Sequence, residues 1–468
     1  MPPTTCHATL AWLPQGFAAD VRFSLDATTA ALDAIDGGAA RGDALALGGI
    51  VVPGMPNLHS HAFQRAMSGL AERRGASDDT FWSWREVMYA FAGRVGPDDL
   101  RAIAAQLYVE MLEAGYTQVC EFHYLHHQPD GRPYADPAAM SLALVEAARE
   151  TGMGLTLLPT LYMTGGFDGR ALSERQQRFR HDIDGFLRLV ERLRALETQR
   201  LNVGIALHSL RAVQPDAMHA VLDGIAKLPA SPAQRLASAM PVHIHVAEQI
   251  GEVQDCLAIR NARPVEWLLD NAPVDRRWCL VHATHLEAHE RRRLAASGAV
   301  AGLCPTTEAN LGDGLFPLKA YLDDGGVLGI GSDSHISVSP VEELRWLEYG
   351  QRLVTRHRNV SASAATPSTG ETLYARSLAG GAQAAGGGIG AFASGMRADF
   401  VVLDDEAPLL AGRDAAQVID TWLFAGNVNL VRDVFVAGER VVEGGRHRER
   451  ERIAQRYRDA VEHLARSL

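Results

Sequence analysis

The stretch "IVVPGMPNLHSH", residues 50–61, joins an apolar run to two side chains that can bind a metal ion. In an extended strand, residues i and i+2 point to the same side, so His59 and His61 can converge on one point. Two imidazoles alone do not make a metal site, because such a site needs three or four ligands. Any further ligands must come from other strands.

Seven more apolar, strand-like runs follow, and longer amphipathic segments typical of helices separate them. The runs cover residues 116–125, 153–162, 202–211, 241–249, 278–285, 299–310 and 326–335. Strict alternation of strands and helices predicts a parallel sheet, and eight such units predict a closed (β/α)₈ TIM barrel in the α/β class. An open doubly wound sheet is the alternative, but no Gly-x-Gly-x-x-Gly motif opens a helix after a strand.

Both ends of the chain are rich in short, alternating stretches typical of β-strands. Since chain termini are often close in space, we expect residues 1–53 and 391–445 to form one small β-sandwich domain beside a barrel at residues 54–390. The mixed-charge residues 446–468 are predicted to form an exposed C-terminal helix. The glycine-rich segment 380–395 is predicted to be the linker between barrel and sandwich.

Composition excludes several classes of protein. The formal net charge is -11 over 468 residues, which argues against a nucleic-acid partner. No run of about 18 apolar residues occurs, so no membrane segment is expected. Five scattered cysteines, never spaced as Cys-x-x-Cys, fit a reducing compartment, and we expect a cytoplasmic protein.

The ends of the other predicted strands supply the missing metal ligands. His245 lies at the end of the fifth run, and Asp333 lies at the end of the eighth. With His59 and His61 they make three imidazoles and one carboxylate, a set suited to one divalent ion, most simply Zn²⁺. All strand ends of a barrel open onto one face, where barrel enzymes build their active sites.

Five motifs in order resemble the metal-dependent amidohydrolase superfamily, in its branch of aminohydrolases with one metal. They are the His-Ser-His strand, "HIHVAE", "VHATH", "GSDSH" and the tail "ADFVVLD...VFVAGERVV". The resemblance implies that Glu248 shuttles a proton to the leaving amine, that His282 assists, and that Asp333 serves in catalysis as well as in metal binding. Relatives with two metals use a strand-end lysine, and Lys227 and Lys319, the only lysines here, lie outside every predicted strand end.

Three stretches, "NLHSHAFQRAM", "FWSWRE" and "LHSLRAV", resemble the formimidoylglutamate deiminases of that superfamily. The resemblance implies hydrolysis of a small dianionic amidine and a homodimer. It also implies a set of residues that hold the substrate: Gln64, Arg85, Tyr124, His208 and Arg211. Two arginines at one barrel mouth agree with this substrate, because each guanidinium can bind a carboxylate with two hydrogen bonds.

Two other functions remain open at this stage. A purine, S-adenosylhomocysteine or triazine aminohydrolase would use the same scaffold, although a neutral ring would leave two arginines without a role. A non-catalytic scaffold protein would have no need of the six residues His59, His61, His245, Glu248, His282 and Asp333.

Overall fold

The computed structural model describes residues 4–73, 80–229 and 240–466. The strands are β1 (Thr5–Leu13), β2 (Gly16–Leu25), β3 (Leu32–Asp36), β4 (Leu45–Ala46), β5 (Ile50–Pro53), β6 (Met55–Ser60), β7 (Tyr116–His123), β8 (Gly154–Leu161), β9 (Leu201–Val203), β10 (Ile205–Ser209), β11 (Val242–Val246), β12 (Trp278–His282), β13 (Val300–Leu303), β14 (Val327–Ile330), β15 (Phe400–Leu403), β16 (Val431–Val436), β17 (Glu439–Glu443) and β18 (Arg446–His447).

The α-helices are α1 (Phe81–Ala92), α2 (Pro97–Ala114), α3 (Ala139–Thr151), α4 (Ile183–Arg194), α5 (Pro215–Ala226), α6 (Ile250–Arg260), α7 (Pro264–Asn271), α8 (Ala288–Ser297), α9 (Pro305–Leu311), α10 (Leu318–Asp323), α11 (Pro340–Thr355), α12 (Thr369–Ala384), α13 (Val418–Phe424) and α14 (Arg450–Ala465). Short 3₁₀ helices span Ala62–Met67, Glu174–Phe179, Pro408–Leu410 and Ala415–Gln417. Among the described residues, no helix combines the length and apolarity needed to cross a membrane.

The parallel barrel predicted from the sequence is confirmed. Its strands pair in the order β6, β7, β8, β10, β11, β12, β13 and β14, and the short strand β9 adds to β8. An isolated parallel bridge between Ser60 and Asp333 brings the two ends of the sheet together. There the amide of Asp333 donates to the carbonyl of His59, and the amide of His61 donates to the carbonyl of Asp333. Closure thus places the ends of β6 and β14 side by side.

A second sheet of nine strands combines both ends of the chain. β5 pairs with β1 in parallel and with β15 in antiparallel orientation, so the N-terminal and C-terminal flanks form one mixed sheet. The sheet has a separate apolar core, in which Phe23 makes edge-to-face contacts with Phe392 and Phe400. Only Gly54 separates β5 from β6, so this sheet runs directly into the first strand of the barrel.

The linker prediction for residues 380–395 is wrong in its first part. Gly380 and Gly381 lie in α12, which packs against the barrel. A Cβ at Gly380 would overlap the carbonyl oxygen of Leu328 in β14, and one at Gly381 would come within 3.0 Å of Pro56. These glycines therefore permit close approach of helix and strand rather than chain flexibility.

Candidate active site

Four predicted metal ligands meet at the ends of β6, β11 and β14. His59 Nε2 lies 3.2 Å from His61 Nε2 and 3.0 Å from His245 Nε2. The carboxylate of Asp333 closes the group, with Oδ1 3.3 Å from His59 Nε2 and 3.4 Å from His61 Nε2. All four side chains are buried.

Backbone carbonyls orient two of the histidines. His61 Nδ1 donates to the carbonyl of Phe122 at 2.9 Å, and His245 Nδ1 donates to the carbonyl of His208 at 3.0 Å. Protonation at Nδ1 leaves the lone pair on Nε2, which is the atom that faces the cluster. Burial lowers the pKa of His59, His61 and His245, so these imidazoles are held neutral and ready to bind a cation.

The spacing of the cluster fits a metal ion. Ligand atoms about 2.0–2.1 Å from a tetrahedral zinc ion lie about 3.3 Å apart, close to the separations of 3.0–3.4 Å found here. Nitrogen lone pairs that face one another at such distances repel unless a cation lies between them. The residues present therefore fit a bound divalent metal.

Glu248 and His282 stand beside the metal cluster, where the sequence predicts the proton-transfer groups. His282 Nε2 lies 3.8 Å from Glu248 Oε1 and 3.8 Å from Asp333 Oδ2. Burial, opposed by His282, raises the pKa of Glu248 to about 7. Burial disfavours the charged form of His282, but Glu248 and neighbouring carboxylates outweigh it and raise the pKa of this histidine to about 10. One group can thus exchange a proton near neutrality while the other stays cationic.

The backbone is strained around these groups. Five non-glycine residues with positive φ lie at or just after the ends of β11, β12 and β14, namely Ala247, His282, Ala283, Asp333 and His335. Left-handed backbone costs about 1–2 kcal/mol at each L-residue. Such strain concentrates at functional sites, where the surrounding fold holds side chains in directions that relaxed strands would not give.

A cavity extends from the metal cluster, and the predicted substrate residues line it. They are Gln64, Arg85, Tyr124, His208 and Arg211. Gln64 Nε2 donates to the Tyr124 hydroxyl at 3.0 Å, while Gln64 Oε1 is buried without a hydrogen-bond partner. Burial and the nearby Arg211 keep the pKa of His208 well below its usual value, so this imidazole is neutral.

Two arginines also line the cavity. Arg85 projects from α1 and Arg211 follows β10, and the guanidinium of Arg85 lies 4.4 Å from the ring centroid of Trp82. Neither guanidinium forms an ion pair with any residue in the described parts of the chain, and Nε of each is buried without a partner. Both side chains are partly buried, and charges withdrawn from water are normally paired, so these two are available to an anionic ligand. Residues 74–79, which precede α1 in the sequence, lie outside the described residues.

Several neighbours of the site were not predicted from the sequence. Glu308 contacts His282 Nδ1 at 3.2 Å and accepts the Cys304 amide, and Asp313 accepts a hydrogen bond from Gln249. Glu308 lies among the polar residues near the end of the predicted run 299–310, so its position in the sequence could have indicated it. Gln176 lies in a 3₁₀ helix within a long loop and carries no motif that would have revealed it.

Comparison with known proteins agrees with the architecture of the site. The amidohydrolase family matches residues 50–441. A protein of Pseudomonas aeruginosa described as formimidoylglutamate deiminase is 53% identical over 452 residues, covering 96% of each chain. The crystal structure of an amidohydrolase from Brucella melitensis superposes with a TM-score of 0.90 at 47% identity, covering 98% of this chain and 99% of the other.

A more distant structure shares the fold alone. An adenosine deaminase from Xanthomonas campestris, solved with bound zinc, superposes with a TM-score of 0.79 at 20% identity, over 99% of this chain and 98% of the other. Three observations support one family assignment. They are the five motifs in order, the closed barrel and the family match over residues 50–441, which is 392 positions. The chain belongs to the amidohydrolase family.

Proposed function

We propose that the protein is a formimidoylglutamate deiminase. It would hydrolyse N-formimidoyl-L-glutamate with one water molecule to N-formyl-L-glutamate and ammonia. The observation that carries the proposal is one cavity lined by both a hydrolytic cluster and two guanidiniums without ion-pair partners among the described residues. The 53% identical relative with that name supports the same activity.

The metal in this proposal is a single zinc ion held by His59, His61, His245 and Asp333. Three imidazoles and one carboxylate suit a borderline-soft ion such as zinc. A strand-end lysine for a second metal is absent, since Lys227 directly follows α5 and Lys319 in α10 pairs with Asp323. When bound, the ion lowers the pKa of a coordinated water molecule towards about 7 and so supplies the nucleophile.

The proton transfers are assigned to the chain's own residues. Glu248 takes a proton from the attacking water and later delivers it to the departing nitrogen, which leaves as ammonia. Cationic His282 would donate a hydrogen bond from Nε2 to the oxygen that adds to the formimidoyl carbon, and Asp333 Oδ2 would accept one from the attacking water. The pKa of Glu248 near 7 suits this double role, because the carboxyl group can lose and regain a proton at neutral pH.

The charges of the cavity suit the two ends of the substrate. The amidinium would lie near Glu248 and Asp333, and the two carboxylates would lie near Arg85 and Arg211. Gln64, Tyr124 and His208, which line the same cavity, would position the substrate. Charge-assisted hydrogen bonds of this kind contribute about 1.5–3 kcal/mol each.

A purine aminohydrolase is the second candidate. Aromatic rings such as Trp84, Tyr124 and Phe179 line the cavity and could contact a flat base. A neutral base would nevertheless leave two guanidiniums without counter-ions, which disfavours it.

The test is ammonia release by the zinc-loaded protein on N-formimidoyl-L-glutamate, beside adenosine, guanine, S-adenosylhomocysteine and a triazine. We expect turnover of the formimidoyl amino acid alone, with one zinc per chain by elemental analysis. Turnover of a purine without turnover of the formimidoyl substrate would overturn the proposal. A homodimer, which the sequence resemblance implies, is tested by light scattering after size-exclusion chromatography.

A further inference from the structure

Tyr89 lies on the wall of the substrate cavity, one helical turn after Arg85 in α1, and nothing above assigns it a role. Residues i and i+4 lie on the same face of a helix. The guanidinium of Arg85 lies 5.4 Å from the Tyr89 ring centroid, so both side chains border the same end of the cavity. Tyr89 is only 8% exposed, and a buried hydroxyl normally has hydrogen-bond partners.

The oxygen of Tyr89 already accepts a hydrogen bond. Gln176 Nε2 donates to it at 3.3 Å and donates to the Tyr162 hydroxyl at 2.8 Å. The Tyr89 oxygen thus serves as an acceptor of the Gln176 amide, which also joins it to the Tyr162 hydroxyl.

None of the hydrogen bonds among the described residues has the Tyr89 hydroxyl as its donor, so its proton is free for a ligand. Arg85 and Arg211 line the same cavity as Tyr89, and the Arg85 guanidinium lies 5.4 Å from the Tyr89 ring centroid. A hydroxyl that still has a proton to donate, beside two arginines without ion-pair partners, is suited to bind an anionic oxygen.

We propose that Tyr89 is a substrate-binding residue that donates its hydroxyl proton to one carboxylate of the substrate, together with Arg85 and Arg211. This inference rests on the proposed function, because it assumes a dianionic substrate in this cavity. Gln176, which donates to the Tyr89 oxygen, is not among the residues that line the cavity, so it holds this oxygen from behind and leaves the proton to point into the cavity. Tyr89 would then contribute a hydrogen bond of defined direction, in addition to the positive charge of the two arginines.

The test compares the zinc-loaded Tyr89→Phe variant with the unaltered protein on three substrates. They are N-formimidoyl-L-glutamate, N-formimidoyl-L-glutamine, in which an amide replaces the side-chain carboxylate, and N-formimidoyl-4-aminobutyrate, which lacks the α-carboxylate. We expect kcat/KM for the dianion to fall about 10- to 100-fold, mainly through KM. With one of the two monoanionic analogues the variant and the unaltered protein should differ by less than twofold.

Two outcomes would overturn the inference while leaving the activity standing. One is a Tyr89→Phe variant with unchanged kcat/KM on the dianion, and the other is an equal loss on all three substrates. If the unaltered protein turns over none of them, the proposed function itself fails. Tyr349→Phe, on the distant helix α11, is the matched control, and the thermal unfolding midpoint verifies the fold. If Tyr89→Phe does not accumulate, Tyr89→Met removes the same hydroxyl.

Discussion

Glu248 is a buried carboxylate whose surroundings favour the protonated form, yet a cationic histidine lies 3.8 Å away. We expect Glu248→Gln to retain the metal and the fold, because the amide has the same shape and Glu248 is not one of the four ligands. Loss of proton transfer should lower kcat by about 10²- to 10⁴-fold. Bound zinc and steady-state turnover measured on one preparation check this, and full activity with zinc bound would contradict the proton-shuttle role.

The pKa of Glu248 also sets a pH dependence. Burial raises this pKa from 4.5 to about 7, so the base form is lost as the pH falls through about 7. We expect kcat/KM to fall about tenfold per pH unit on the acid side, because the reaction begins with an ionised Glu248. A profile of kcat/KM from pH 5 to pH 9 measures this fall. The residual turnover of Glu248→Gln should not show the fall on the acid side. A flat profile down to pH 5 in the unaltered protein would refute the assignment.

Replacement of either cavity arginine should lower activity on the dianionic substrate. Arg85→Met and Arg211→Met should each lower kcat/KM for N-formimidoyl-L-glutamate by about 10- to 150-fold, because each removes a charge-assisted hydrogen bond worth about 1.5–3 kcal/mol. Arg188→Met, an exposed residue of α4, is the control and should change little. Unchanged kinetics in both cavity variants would exclude them as carboxylate ligands.

At the scale of elements, the glycines of α12 permit close packing of the helix against a strand rather than backbone flexibility. Alanine in place of a mid-helix glycine normally stabilises a helix by about 1 kcal/mol. Gly380→Ala should instead destabilise the protein by about 1–3 kcal/mol, since its Cβ would overlap the backbone of β14. Gly37→Ala, where a Cβ would meet nothing within 4 Å, is the control. Chemical denaturation compares both, and a stabilised Gly380→Ala would show that the helix can move away.

The strands were predictable because a parallel barrel buries both of their faces, which leaves continuous apolar runs ending in polar residues. All eight predicted runs contain a barrel strand, and the family prediction is confirmed. The role of Gly380 was not predictable, because a linker and a closely packed helix can have the same glycine-rich composition. The Gln176 contacts were also hidden, because they depend on how a long loop folds back over α1.

At the scale of the whole molecule, the metal cluster joins strands from opposite ends of the barrel sequence. His59 and Asp333 are 274 positions apart, and their lone pairs face one another across the closure of the sheet. Binding of a cation to the folded state alone should raise stability. We expect chelation to lower the thermal unfolding midpoint by several degrees and zinc to restore it. Equal midpoints with and without metal would contradict the ligand assignment, and His245→Asn should weaken the response to zinc.

The direct passage from β5 through Gly54 into β6 has a consequence for recombination between relatives. A Cβ at Gly54 would overlap the side chain of Thr117, so the crossing point tolerates little change. The strand that carries His59 is thus anchored by a sheet built from both chain ends. A chimera that exchanges the barrel alone would cut at the point where metal geometry is set, whereas one that takes barrel and both flanks from a single parent keeps it intact.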